Sequence, residues 1–385
     1  MKTHLSLLLA MLLLASLACN LPGVLVQETL PETQPPPTQA VSLPLVGSPP
    51  EATPTPLETP TPIETPPPDD RPPTEAPPAE QPSPLAPTPV APVLSALDAS
   101  PPAQTVKLIF IHHSSGENWL ADDNGGLALA LMANNYFVSD TNYGWGPDAI
   151  GDRTDIGNWW EWFAGPDSSR YLQAVFNESG QNSWYTRLDD DPGGQNTIIL
   201  FKSCFPNSAL AGSPDDPPTQ GDNPLRAQDA GSQDHTVANA KGIYNDLLST
   251  FARYPDKLFI VITAPPLGSF DTDAESAANA RAFNRWLVED WLDAYSLPNV
   301  AVFDFYNVLT SSRGGPHAND ANAEDGNHHR FWNGVIQYIT DQGGNTSAYA
   351  ADGDSHPTPE GNQKATVEFV PLLNIFYHRW LASQR

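Results

Sequence analysis

Beyond residue 105 the chain carries four short runs that are almost uninterrupted by polar residues: VKLIFIH (106–112), NTIILFK (196–202), KLFIVIT (257–263) and NVAVFDF (299–305). They are rich in β-branched and aromatic residues, and their polarity does not alternate. Runs of that kind suit strands covered on both faces, as in a parallel sheet. YFVSD (136–140) is a weaker fifth. The stretches between them change period. TVANAKGIYNDLLSTFARY and ESAANARAFNRWLVEDWLDAY have helical spacing, and in the second Ala278, Phe283, Trp286, Leu287, Trp291 and Leu292 share much of one face. TPEGNQKATVEFVPLLNIFYHRWL reads as a closing helix, interrupted or bent near Pro371. Strands alternating with helices predict an α/β fold, a three-layer α/β/α sandwich on a mostly parallel central sheet. Ligands of such folds bind at the C-terminal ends of the strands.

Two polar inserts break the alternation, 141–195 and 306–351. Loops that long in a compact domain usually carry function or move. GNWWEWFAG (157–165) puts three Trp within four residues. Buried, they plug the underside of a loop, which is the favoured reading; exposed, they form a surface for sugars or protein.

Composition divides the chain. Residues 1–19, MKTHLSLLLAMLLLASLAC, have a basic start, an apolar stretch and small residues before Cys19. That is the pattern of a secretory signal, too short to span a membrane. LASLAC resembles the lipobox of bacterial lipoproteins, although Ser16 stands where Leu is favoured. The resemblance implies lipidation of Cys19, and a chain anchored on the extracellular face of a bacterial membrane or secreted. Residues 20–103 hold 26 of the 42 prolines and no Trp, Tyr or Phe. Such a segment cannot bury enough apolar surface to offset its ordering entropy, so a disordered stalk is expected. Residues 104–385 hold all ten Trp and form the expected folded domain.

The net charge is −27. An acidic domain argues against nucleic acid as a partner. With Cys19 set apart, only Cys204 is left, so no intramolecular disulfide is expected. In FKSCFPNS it reads as a small buried apolar residue. The histidines show no spacing of metal ligands, and adjacent pairs on a strand point to opposite faces. Neither a metal nor a cofactor is expected.

The first strand ends in LIFIHHSSGENWL (108–120). Ser114 follows it directly, at the place where an open α/β sheet binds its ligands. A hydroxyl needs a base to take its proton. His113 adjoins it but neighbours rarely face each other usefully. DGDSHPTPEGNQ offers a better one in His356, with Asp352 and Asp354 close behind to fix its tautomer.

These residues resemble the SGNH, or GDSL, hydrolases, over most of 106–376. The similarity is strongest in SHPTPEGNQKA. HHSS stands where the family shows Gly-Asp-Ser, and Gly353 occupies the position three before His356 where the family has its acid. The resemblance implies a flavodoxin-like sandwich and a serine esterase, acting on an extracellular ester such as an acylated carbohydrate. Ser114 would be the nucleophile with Ser115 as fallback, His356 the base, and Asp354 or Asp352 its partner. The oxyanion hole would take Gly144 or Gly146 from NYGWGPD, and Asn207 from KSCFPNS. A non-catalytic protein of the same fold, holding glycans on its Trp-rich inserts, is the alternative.

Overall fold

The computed structural model of the protein describes residues 97–180, 188–313, 315 and 318–384. The expected signal, Cys19 and all but residues 97–103 of the expected stalk lie outside the described residues.

Five parallel strands make the central sheet: β1 (Val106–Ile111), β2 (Tyr136–Thr141), β3 (Ile198–Lys202), β4 (Leu258–Ile262) and β5 (Val300–Phe303). Each falls within, or within a residue of, one of the five apolar runs. The weak run at 136–140 is as buried as the others, because α/β packing covers its Ser139 and Asp140 too. The order is β2-β1-β3-β4-β5. The chain steps from β1 outward to β2, then returns past β1 to β3. The ends of β1 and β3 therefore flank the point where the winding reverses, the usual crevice of a doubly wound sheet.

Helices cover both faces. On one side α1 (Ser114–Leu120), α2 (Leu127–Ala133) and the C-terminal helix pack on Leu108, Phe110, Leu200, Ile260 and Phe303. On the other, α3 (Asn158–Phe163), α4 (Ser168–Asn177), α5 (Val237–Phe251) and α6 (Ala274–Glu289) pack on Ile109, Ile111, Phe201, Phe259 and Val261. Alternate residues of one strand thus enter two separate cores, so both faces of the strand must be apolar. Trp159 and Trp162 of the Trp-rich segment are buried in the second core, and Trp160 is partly buried against it. Among the described residues no helix is long and apolar enough to cross a membrane.

After β5 come a single helical turn, α7 (Phe305–Val308), a hairpin of β6 (His328–Trp332) and β7 (Val335–Ile339), a small hairpin of β8 (Ala350–Ala351) and β9 (Asp354–Pro357), and the closing helix α8 (Pro359–Ser383). The expected interruption of α8 is absent. The helix runs continuously through Pro371, which is partly exposed. Its buried row, Ala365, Phe369, Leu372, Leu373 and Phe376, holds it to the sheet on both sides of the proline.

The folded unit also starts earlier than residue 104. The carbonyl of Ala99 accepts from Asn374 Nδ2 at 2.9 Å, and that of Pro102 from Asn135 Nδ2 at 2.8 Å. Asn374 is buried and also receives the Tyr136 hydroxyl. A chain beginning at Leu97 should melt like the full-length protein. One beginning at Gln104 takes from the buried Asn374 amide one of its two acceptors, the other being Asn134 Oδ1 at 3.0 Å, and from the exposed Asn135 its bond to Pro102, at a cost of about 1 kcal/mol. A difference scan of the two truncations checks this; equal melting temperatures would show that 97–103 add nothing.

His328 and His329 lie inside the fold. His328 Nδ1 meets Glu368 Oε1 at 2.5 Å, and the His329 ring stacks on Phe303. The backbone N–H of Asp304 donates to His329 Nδ1 at 2.9 Å, so that nitrogen must be unprotonated. Burial pushes the His329 imidazole down to about 4 from the ordinary 6.5. Burial also lowers His113 and His235. Between those two values the unfolded chain binds a proton that the folded one refuses. The stability from keeping His329 neutral is complete above about pH 6.5 and is lost as pH falls towards 4, roughly 3 kcal/mol from this residue. Urea midpoints should drop steadily over that interval, and His329→Gln should flatten the slope.

Candidate active site

The first strand's end is built by packing before chemistry enters. His112 is fully buried. Its Nε2 lies 3.2 Å from Asp140 Oδ2 on β2, and its Nδ1 2.9 Å from the carbonyl of His113. His113 Nε2 sits 2.6 Å from the Gly151 carbonyl, and its ring stacks on Tyr143 at 4.0 Å. A ring nitrogen facing a carbonyl must donate, so His113 ties the strand end to the loop after β2, while His112 ties it to Asp140 of β2 itself. Gly116 belongs to the same construction. A Cβ there would stand 2.4 Å from His112 Cβ, so only glycine lets α1 start this close to the strand. The two histidines turn the chain from β1 into α1, and Ser114 becomes the helix's first residue.

Ser114 Oγ lies 2.8 Å from His356 Nε2. His356 Nδ1 lies 2.7 Å from Asp354 Oδ1, which also accepts the His356 backbone N–H at 2.9 Å. Asp354 and His356 are alternate residues of β9, so both side chains stand on one face of that short strand. Together these two hydrogen bonds to Asp354 Oδ1 fix the ring and its tautomer. Asp354 is about half exposed at 49 %, whereas His356 is covered at 13 %. The edge of the Phe205 ring packs on the imidazole at 4.8 Å.

The sequence left Asp352 and Asp354 open; the structure brings Asp354 to the histidine. Asp352 is exposed in the turn of the β8–β9 hairpin, with Gly353 beside it at φ +75°. That left-handed turn places the acid two residues before the histidine, not three.

Of the residues expected to form an oxyanion hole, Asn207 and Gly144 are engaged in other hydrogen bonds. Asn207 is buried. Its Nδ2 donates to Asp155 Oδ1 at 2.6 Å and to the Cys204 carbonyl at 3.3 Å, and its Oδ1 accepts from the Ile156 backbone. Both amide protons are committed to bracing the insert, because the four-residue 3₁₀ turn Phe205–Ser208 carries Asn207 past the end of β3. The Gly144 N–H donates to Asp152 Oδ1 at 2.6 Å. Gly146 caps a 3₁₀ turn at Pro147–Asp152.

The residue that β3 delivers next to Ser114 is Cys204. Its Sγ lies 3.5 Å from Ser114 Oγ and 3.2 Å from Ser115 Oγ. It is buried, as the sequence suggested, but polar in its contacts. Ser115 is fully buried behind Ser114 and receives Lys202 Nζ. Sequence reading passed over Lys202, since a lysine at the end of an apolar run looks like the strand's exit to solvent. Among the described residues no three His, Cys, Asp or Glu side chains gather as metal ligands.

No family model and no curated protein matches the chain. A solved crystal structure is similar at 14 % identity, covering 68 % of this chain and 93 % of its own, with a TM-score of 0.29. A likeness that weak carries no argument about fold or function.

Proposed function

We propose that residues 97–385 form a serine hydrolase of the SGNH type that cleaves carboxylic esters through an acyl-enzyme. The observation that carries this is the unbroken line Ser114–His356–Asp354 at the C-terminal edge of a parallel sheet, where the winding reverses. In the reaction, Ser114 Oγ attacks the ester carbonyl while its proton passes to His356 Nε2. Asp354 stabilises the imidazolium, which then returns that proton to the departing alcohol. Water attacks the acyl-enzyme by the same route and frees Ser114. The expected Asn donor is engaged elsewhere, and losing one oxyanion donor typically costs ~10²–10³ in rate. Turnover should therefore be modest.

The N-terminal pattern supports a lipid-anchored or secreted protein on the outer side of a bacterial membrane, where acylated carbohydrates are one available ester class. The alternative of a glycan binder rested on exposed Trp. The burial of Trp159 and Trp162 weakens that support, while Trp145 and Trp160 of the same insert stay partly exposed.

The test is a fluorophosphonate probe and p-nitrophenyl acetate on the full-length protein. Labelling at Ser114 with measurable hydrolysis is expected. Labelling at Ser115 would move the nucleophile by one residue, and no labelling with no hydrolysis would overturn the reading.

A further inference from the structure

Behind Ser114 three buried polar side chains, none of them required by the Ser–His–Asp line, stand in sequence. Lys202 is the last residue of β3 and is 0 % exposed. Its Nζ reaches Ser115 Oγ at 2.5 Å and the Ser203 carbonyl at 3.1 Å. Ser115 Oγ lies 3.2 Å from Cys204 Sγ, and Cys204 Sγ 3.5 Å from Ser114 Oγ. Ser115 is 0 % exposed and Cys204 4 %. Burying a lysine and a serine beneath an apolar sheet is costly unless they are hydrogen-bonded.

We propose that Lys202, Ser115 and Cys204 are positioning residues forming a one-way hydrogen-bond relay that ends on Ser114 Oγ and favours the loss of its proton. This rests on the hydrolase reading. Donor chemistry sets the direction. A lysine ammonium can only donate, so Ser115 Oγ accepts and its own proton points to Cys204 Sγ. Cys204 Sγ, 3.5 Å from Ser114 Oγ, can then give its S–H to that oxygen. Ser114 in turn gives its proton to His356 Nε2, and His356 Nδ1–H is given to Asp354. Every link runs the same way, from a cation to a carboxylate. Hydrogen bonds aligned like this polarise one another. As the Ser114 proton moves to His356, negative charge grows on Oγ while an S–H donor and, beyond it, a buried cation already face it. This preorganised donor set acts on the nucleophile, not on the oxyanion of the substrate.

The geometry also explains why β3 ends in Lys-Ser-Cys. Ser203 Oγ accepts the indole N–H of buried Trp159 at 2.9 Å, which holds the turn and aims Lys202 and Cys204 back towards α1.

The experiment follows Ser114 labelling and p-nitrophenyl acetate kinetics in the full-length protein. Cys204→Ala should slow labelling and kcat about tenfold, the scale of one neutral hydrogen bond. KM should change less than about twofold, since no ground-state contact with substrate is lost. Cys204→Ser keeps a donor in place and should recover most of the rate. Lys202→Met, similar in length, should lower kcat more than Cys204→Ala and move the acid limb of the kcat/KM profile to higher pH. A merely structural lysine would leave that limb in place. If Lys202→Met does not fold, the Cys204→Ala and Cys204→Ser pair decides. Wild-type rates in both Cys204→Ala and Lys202→Met would overturn the relay and leave the hydrolase standing. Equal slowing in Cys204→Ala and Cys204→Ser would reduce Cys204 to packing and overturn it as well. An unreactive wild type would overturn the hydrolase and the relay together.

Discussion

On the proposed hydrolase reading, Ser114→Ala is expected to abolish ester turnover, by roughly 10⁴–10⁶ in kcat, while the melting temperature stays near wild type. The change removes one hydroxyl from the start of α1 and leaves the braces at His112, His113 and Gly116 in place. His356→Ala should fall as far. Asp354→Asn should cost about 10⁴, because an amide no longer fixes the tautomer that leaves Nε2 free to accept. Asp352→Asn should be nearly silent, since that side chain lies in an exposed turn. Acidification should lower kcat/KM, because a protonated His356 cannot take the Ser114 proton. These kinetics separate roles that geometry assigns in parallel. A wild-type kcat in Ser114→Ala would end the acyl-enzyme reading, and a loss confined to His356→Ala and Ser114→Ala would describe a dyad.

Lys364→Met should be the most destabilising single change in the domain, by about 3–5 kcal/mol. Lys364 is buried within α8. Its Nζ meets Asp320 Oδ1 at 2.6 Å and the carbonyls of Val308, Ser311 and Asn327 at 2.8, 3.1 and 2.9 Å. Methionine has nearly the right length but offers no donor. Asp320, which also accepts the Tyr349 hydroxyl, would become a buried uncompensated charge, and three carbonyls would lose a partner. Burial holds the Lys364 amine below the ordinary lysine value against the pull of Glu368 and Asp320. The melting temperature should fall by roughly 10 °C. The double variant Lys364→Met with Asp320→Leu should recover part of the loss, because an apolar pair tolerates burial. A thermal melt within about 2 °C of wild type for Lys364→Met would show that this cluster is solvated and not structural.

The strands were legible because a strand covered on both faces must be apolar at nearly every position, and few other elements five residues long look like that. The helices of 237–251 and 274–289 were legible from period, and Ser114 and His356 from their place at strand and helix ends. What escaped was chemistry placed by the tertiary fold. Lys202, Lys364 and Glu368 carry nothing local that marks them as buried; only the groups that meet them from distant parts of the chain do so. The β6–β7 hairpin did leave a signal. Asn333-Gly334 between HHRFW and VIQYI is a two-residue turn pair, and both residues take positive φ, 49° and 83°. The polar His328, His329 and Arg330 in the first run keep it from reading as an apolar strand. Asn207 misled for a different reason: an Asn a few residues after β3 satisfies a sequence pattern, whereas the 3₁₀ turn decides which way its amide faces. The choice between Asp352 and Asp354 likewise depended on Gly353, a turn whose handedness is not visible in residue spacing.

The β8–β9 hairpin has a consequence for timing. On the proposed reading the nucleophile is made early and its base late, separated by most of the domain's length. A chain emerging from the ribosome holds Ser114 without His356, and so is inert towards esters until its last strand and helix have arrived. The hairpin's exposed Asp352-Gly353 turn is also a place where a single proteolytic cut would separate Asp354 and His356 from the preceding strand and silence the site, leaving the five-stranded sheet intact.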